Sequence, residues 1–174
     1  MISREKIESI FQDILKGLEP TFAARVGAWR DAVITSGVIP YVYCGLRTPA
    51  EQERLYAQGR SEPGRVVTNA RGKPVPQSFH CYGRAIDWVP ARKVGKGYEA
   101  DWDNVQGYGL GIDLGKKFSL DALSWERPHL QDGYFKDWRD LANNVRTSPK
   151  MEPVEPVDQP VTKRSRKVTL RKTA

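Results

Sequence analysis

Ser78-Phe79-His80-Cys81-Tyr82-Gly83-Arg84-Ala85-Ile86-Asp87 carries one of the chain's two histidines and a carboxylate set inside an apolar run. On a continuous helix His80 and Asp87 would lie about 10 Å apart along the axis, and on a straight strand more than about 20 Å. Both are too far to share an ion whose ligands sit about 2 Å from it. Shared chemistry therefore requires the chain to turn back, and Gly83 accepts the backbone angles of such a reversal. Ala85 to Val89 then reads as a short strand with Asp87 inside it. A carboxylate there is unfavourable unless a cation or strong donors face it.

The other histidine lies in Trp125-Glu126-Arg127-Pro128-His129. Pro128 disfavours a helix interior and biases Arg127 toward extended backbone, so Glu126 and His129 do not stack on one helical face and need not do the same job. His80, Asp87 and His129 can form a His/Asp/His ligand set with an open fourth position, while Glu126 stands off the metal and handles the proton of a bound water. Two histidines are also common as ordinary hydrogen-bonded structure, so both readings stand at this point. No His-Glu-x-x-His, Cys-x-x-Cys, Gly-x-Ser-x-Gly or P-loop pattern occurs, which removes zincin, zinc-finger, serine-hydrolase and nucleotide chemistry from consideration.

Working outward, Ile7, Ile10, Phe11, Ile14, Leu15 and Leu18 follow helical spacing, with Ser3 as N-cap and Glu19-Pro20 as the stop. A second helix follows with Thr21 as its cap and Phe22, Val26, Trp29 and Val33 on one face, closing at Ser36-Gly37. Val38 to Cys44 is β-branched and aromatic and reads as a strand. Thr48-Pro49-Ala50-Glu51 combines a capping box with proline at the first helical position, and the helix it opens runs to Gln58 before Gly59. The residues between Gly59 and Ser78 are rich in Gly, Pro and Arg and form a long connection of the kind that is usually functional. Residues 101–118 are Gly-rich and weakly periodic and receive no assignment. A last helix is expected from about Tyr134 to Val145. Trp88 and Trp125 read as core walls.

At 174 residues, 39% hydrophobic and 28% charged, the chain suits one domain with an extension. No apolar run is long enough for a membrane span. The charged start, Met1-Ile-Ser-Arg-Glu-Lys, does not read as a secretory signal, so synthesis in a cytoplasm is expected. Cys44 and Cys81 are too few for a disulfide framework. Of the net charge of +7, six basic residues and no acid fall within Val161 to Ala174, whereas residues 1–150 hold 22 basic and 18 acidic side chains. The expected organisation is a catalytic domain over 1–148, a Pro-rich linker over 149–160 and a basic, disordered tail over 161–174. The tail is either solvated chain or a contact for an anionic envelope surface. Nucleic-acid binding rests on it alone.

Ser-x-His-x-x-Gly-x-Ala-x-Asp at 78–87, followed by acid-x-x-His at 126–129, resembles the zinc peptidoglycan peptidases. That family includes D-alanyl-D-alanine carboxypeptidases and L-alanyl-D-glutamate endopeptidases. The segments Gly45-Leu46-Arg47-Thr48-Pro49, Glu51-Gln52, Leu55-Tyr56-Ala57-Gln58-Gly59-Arg60, Pro63-Gly64 and Val67-Thr68-Asn69-Ala70 look like its bacteriophage endolysin branch. The likeness covers about residues 38–131. It implies an α+β fold, a small antiparallel sheet with helices packed around it, of the hedgehog and DD-peptidase type. It also implies Zn2+ held by His80, Asp87 and His129, with Glu126 as catalytic acid/base. Arg47 would face the substrate and stabilise the oxyanion, and Ser78 would contact substrate near the metal. Gln52 and Tyr56 are expected to pack the helix. The implied substrate is the peptidoglycan stem peptide, cut by a monomeric enzyme acting on the wall after the membrane is permeabilised. A host carboxypeptidase or an inactive wall-binding module of the same fold are the alternatives. Two departures stand out: Cys81, where relatives often carry asparagine, and Arg84, where a small or apolar residue is usual.

Overall fold

The computed structural model describes residues 1–144. Helix α1 (Arg4–Gly17) starts at Ser3, whose hydroxyl accepts from the Lys6 amide at 3.1 Å. Helix α2 (Pro20–Thr35) is capped by Glu19 and not by Thr21. The Glu19 carboxylate accepts from the Phe22 amide at 2.9 Å and from the Thr21 hydroxyl at 2.6 Å, so Pro20 takes the first helical position, where a missing amide hydrogen is harmless. Strand β1 (Ile39–Cys44) leads to α3 (Pro49–Ala57), capped by Thr48 as its sequence requires. After the long loop, a short 3-10 helix (Phe79–Tyr82) ends at Gly83 and turns into β2 (Ala85–Val94). Then come β3 (Gly97–Ala100), α4 (Val105–Lys117), β4 (Leu120–Leu123), β5 (Glu126–Asp132) and α5 (Trp138–Ala142).

The five strands form one sheet, ordered β1-β2-β5-β4, with β3 paired to the far half of β2. All pairings are antiparallel. The architecture is the α+β arrangement expected from the sequence. Alternation along the strands separates two functions: Ile86, Trp88 and Leu130 join Phe11, Phe22, Val26 and Trp29 in the main core, while Asp87 and His129, each one residue away, point to the other face. Trp29 and Trp88 meet edge to face at 5.1 Å, and the Trp29 indole donates to the Gly111 carbonyl at 2.8 Å. A smaller cluster of Phe79, Ala85, Phe135 and Leu141 supports the 3-10 helix.

Three expectations need correcting. Trp88 is fully buried, but Trp125 is 79% exposed, because it sits in the tight β4–β5 connection and not in a strand facing the core. The unassigned stretch 101–118 contains α4. The last helix begins only at Trp138, where Asp137 and Asp140 form a reciprocal capping box, because Phe135 is drawn into the smaller cluster. It ends at Ala142 with Asn143 as its C-cap, short of the expected Val145, and the linker at 149–160 and the tail at 161–174 lie outside the described residues. Arg84, unusual for its position, bridges the fully buried Asp132 at 2.5 Å and Glu19 at 3.4 Å, tying β5 to the start of α2.

Candidate metal centre

Asp87 and His129 are direct cross-strand partners in the β2–β5 ladder, which places their side chains on one face. His80 reaches the same point because Gly83, in the left-handed region at φ 63°, reverses the chain between the 3-10 helix and β2. A side chain at Gly83 would also approach the Gly17 carbonyl to 2.9 Å. His80 Nε2 and His129 Nδ1 each lie 3.3 Å from the same oxygen, Asp87 Oδ1. All three residues are buried.

The outer nitrogens are occupied. His80 Nδ1 donates to the Gly45 carbonyl at 2.7 Å, and His129 Nε2 donates to Gln131 Oε1 at 3.0 Å. These acceptors keep the hydrogen on each outer nitrogen and turn the inner nitrogens, His80 Nε2 and His129 Nδ1, toward Asp87, where each can donate to the carboxylate or, deprotonated, ligate an ion. Burial would raise the Asp87 carboxyl, but hydrogen bonds and charge from His129 and His80 outweigh it and hold the group well below the usual carboxylate range. Burial opposes charge on His80, yet Asp87 and then Cys44 push it up to about 9. Two inward imidazole nitrogens and one carboxylate oxygen, each imidazole anchored through its second nitrogen, are a donor set that fits Zn2+ with a position left open. Cys44, His80 and Asp87 also group within 4.8 Å of one another. There Cys44 Sγ approaches His80 on its Nδ1 side, at 3.9 Å, where Gly45 already takes the hydrogen. The His80/Asp87/His129 set is the one the motif resemblance implies, and both of its imidazoles face Asp87 Oδ1.

Arg47 is drawn into this site and is not a surface residue. Its side chain is only 15% exposed, and Nη2 lies 3.7 Å from Asp87 Oδ2. Nη2 also donates to Cys44 Sγ at 3.4 Å, and Nη1 donates to Gln52 Oε1 at 2.8 Å. The Arg47 amide donates to the His80 carbonyl at 3.1 Å, stitching the β1–α3 loop to the 3-10 helix. Glu126 opens β5 and is exposed. An odd separation from His129 would put the two on opposite faces of a regular strand. Here Ala122 pairs with Leu130 and Leu123 with Glu126, so residues 127–129 bulge out of the β4–β5 ladder and the regular alternation between Glu126 and His129 is broken. Ser78 sits half-buried at the N-cap of the 3-10 helix, and its hydroxyl makes no capping bond.

Sequence reading missed Cys44, Gln131 and Tyr43. Gln131 could have been found, since it stands two residues after His129 on an extended segment and so shares its face. Cys44 and Tyr43 had no such signal, because an irregularity of β1 decides where they point. Of the two free thiols, the one beside His80 is Cys44 across the sheet, not its chain neighbour Cys81.

Against this geometry, an alignment of 130 residues at 37% identity, spanning 66% of this chain and 72% of the relative, makes the chain a member of the peptidoglycan L-alanyl-D-glutamate endopeptidase family. The relative is the peptidoglycan L-alanyl-D-glutamate endopeptidase CwlK of Bacillus subtilis (strain 168). The solved structure of the L-Ala D-Glu endopeptidase ChiX of Serratia marcescens matches with a TM-score of 0.49 at 19% identity, covering 76% of this chain and 90% of that one. No family model matches.

Proposed function

We propose that this protein is a zinc-dependent endopeptidase that hydrolyses the amide between L-alanine and D-glutamate in the peptidoglycan stem peptide. The observation that carries the reading is the approach of His80 Nε2 and His129 Nδ1 to one oxygen of Asp87, with both outer nitrogens anchored. CwlK is an L-alanyl-D-glutamate endopeptidase, which supports the choice of this bond over D-alanyl-D-alanine. His80, Asp87 and His129 hold the metal, which supplies a Lewis acid and an acidified water. Glu126, at the start of β5, takes a proton from the attacking water and later gives it to the leaving amine. Arg47, fixed by Gln52, offers its guanidinium to the developing oxyanion or to a peptide carboxylate. Ser78, whose hydroxyl is not spent on capping, is assigned a substrate contact beside the metal.

Glu126→Gln is expected to keep stoichiometric zinc and lose turnover, and His80→Ala to lose both. Zinc content by elemental analysis and mass analysis of digested peptidoglycan check this, and full activity in Glu126→Gln would refute the role of the carboxylate. Host lysis by a bacteriophage enzyme is the setting favoured by the motif resemblance of residues 45–70. There the basic residues of 161–174 would engage anionic envelope. A chain truncated after Lys150 should bind whole envelopes more weakly, and unchanged binding would dismiss that contact.

A further inference from the structure

Strand β1 becomes irregular as it passes the site. Val42 pairs with Trp88 and Cys44 with Asp87, so Tyr43 is an extra residue and two β1 side chains stand against one β2 residue. Bulges of this kind re-aim side chains and are common beside functional sites. Cys44, the next residue, pairs with Asp87, so Tyr43 borders the centre.

From Tyr43 an aromatic surface runs outward. Tyr41 lies 6.1 Å from its ring along the strand, and Trp102, in the β3–α4 connection, meets it edge to face at 5.7 Å. Trp102 is 54% exposed and Tyr43 37%. The protein buries Trp29 and Trp88 completely, so leaving an indole in water forgoes a large apolar gain. The exposed face of a single indole matches a pyranose ring, whose C–H face is apolar.

We propose that the Tyr43–Trp102 ledge is a saccharide subsite that seats the glycan sugar bearing the stem peptide. This rests on the proposed function. In peptidoglycan, L-alanine is joined through a lactyl group to N-acetylmuramic acid, so the sugar lies about two residue lengths, or about 7 Å, from the bond to be cut. A sugar that near must lie against the rim of the centre, and Tyr43 forms part of that rim. Trp125, the other highly exposed tryptophan, has no ring contact among the described residues to hold it in place.

The test compares two substrates with the zinc-loaded full chain: a stem peptide linked to N-acetylmuramic acid, and the same peptide with an N-acetyl group in place of the sugar. Trp102→Ala should lower the ratio of kcat/KM for the first over the second by about tenfold, the size of one good contact, and Trp102→Phe should restore most of it. An unchanged ratio would overturn the subsite. If the wild-type protein cuts neither substrate, the proposed function fails, and the ledge is judged by binding alone. Titration with the N-acetylglucosaminyl-N-acetylmuramic acid disaccharide should then shift the Trp102 indole NMR signal saturably, a signal identified by its loss in Trp102→Ala. No shift would reject the ledge as a sugar site.

Discussion

Gln52 is fully buried and makes bonds in opposite directions, accepting from Arg47 Nη1 at 2.8 Å and donating to the Ala70 carbonyl at 2.8 Å. Gln52→Leu keeps the volume but strands both partners, which is expected to destabilise the fold by about 1–3 kcal/mol. It also frees the guanidinium to move, so kcat/KM should fall by about tenfold to a hundredfold while zinc content holds. Assays well below the melting temperature separate the two effects, and full activity there would mean Arg47 needs no orientation. The sequence pointed to Gln52 only as helix packing, because spacing shows that a residue faces inward but not what it bonds. Tyr56, read the same way, lies against two arginines, Arg60 at 4.0 Å from its ring and Arg71 at 5.0 Å. His80, Asp87 and His129 were legible because their motifs are local. Cys44 and Tyr43 enter through the register of β1, which no local pattern encodes, whereas Gln131 follows from its spacing from His129.

At the scale of elements, α2 depends on Glu19. Burial works against its charge, but hydrogen bonds from Thr21 and the Phe22 amide and the charge of Arg84 leave its pKa lowered. A carboxyl depressed in the folded state contributes stability that is present above its unfolded pKa and is lost as pH falls through the folded value. Glu19→Ala should therefore destabilise by about 1 kcal/mol at neutral pH, and the deficit should shrink as the pH drops below about 4.5, the ordinary glutamate value. Denaturant titrations at pH 7 and at progressively lower pH check this; a deficit independent of pH would assign the loss to packing. Helix α4 shows why some elements were not legible. Four glycines dilute its helix propensity, yet at Gly111 a side-chain carbon would come within 2.3 Å of the Trp88 ring, so the glycine that hides the helix from sequence lets it pack. The short strands β3 and β4 were missed because four residues in each carry too little alternation to stand out.

For the molecule as a whole, the proposed ligands belong to parts of the chain that only the tertiary fold unites. His80 comes from the 3-10 helix resting on the smaller cluster, and Asp87 and His129 come from the sheet whose reverse face builds the main core. An ion bound by all three would therefore be linked to folding, since the unfolded chain has no such site. Zinc at about a hundred times its dissociation constant should add about 2.7 kcal/mol, which raises Tm by several degrees in a protein of this size. Chelation should remove that increment, and it should shrink at acidic pH as protons compete for the imidazoles. Calorimetry on three proteins assigns the effect to the proposed ligands. The wild type and Glu126→Gln should both gain the increment, whereas His80→Ala should gain none, because Glu126 handles the proton without holding the ion. A zinc increment that survives His80→Ala would place the ion away from both sets that contain His80; between those two, Cys44→Ser and His129→Ala in the same experiment decide, since loss in Cys44→Ser with retention in His129→Ala would give the ion to the Cys44/His80/Asp87 group.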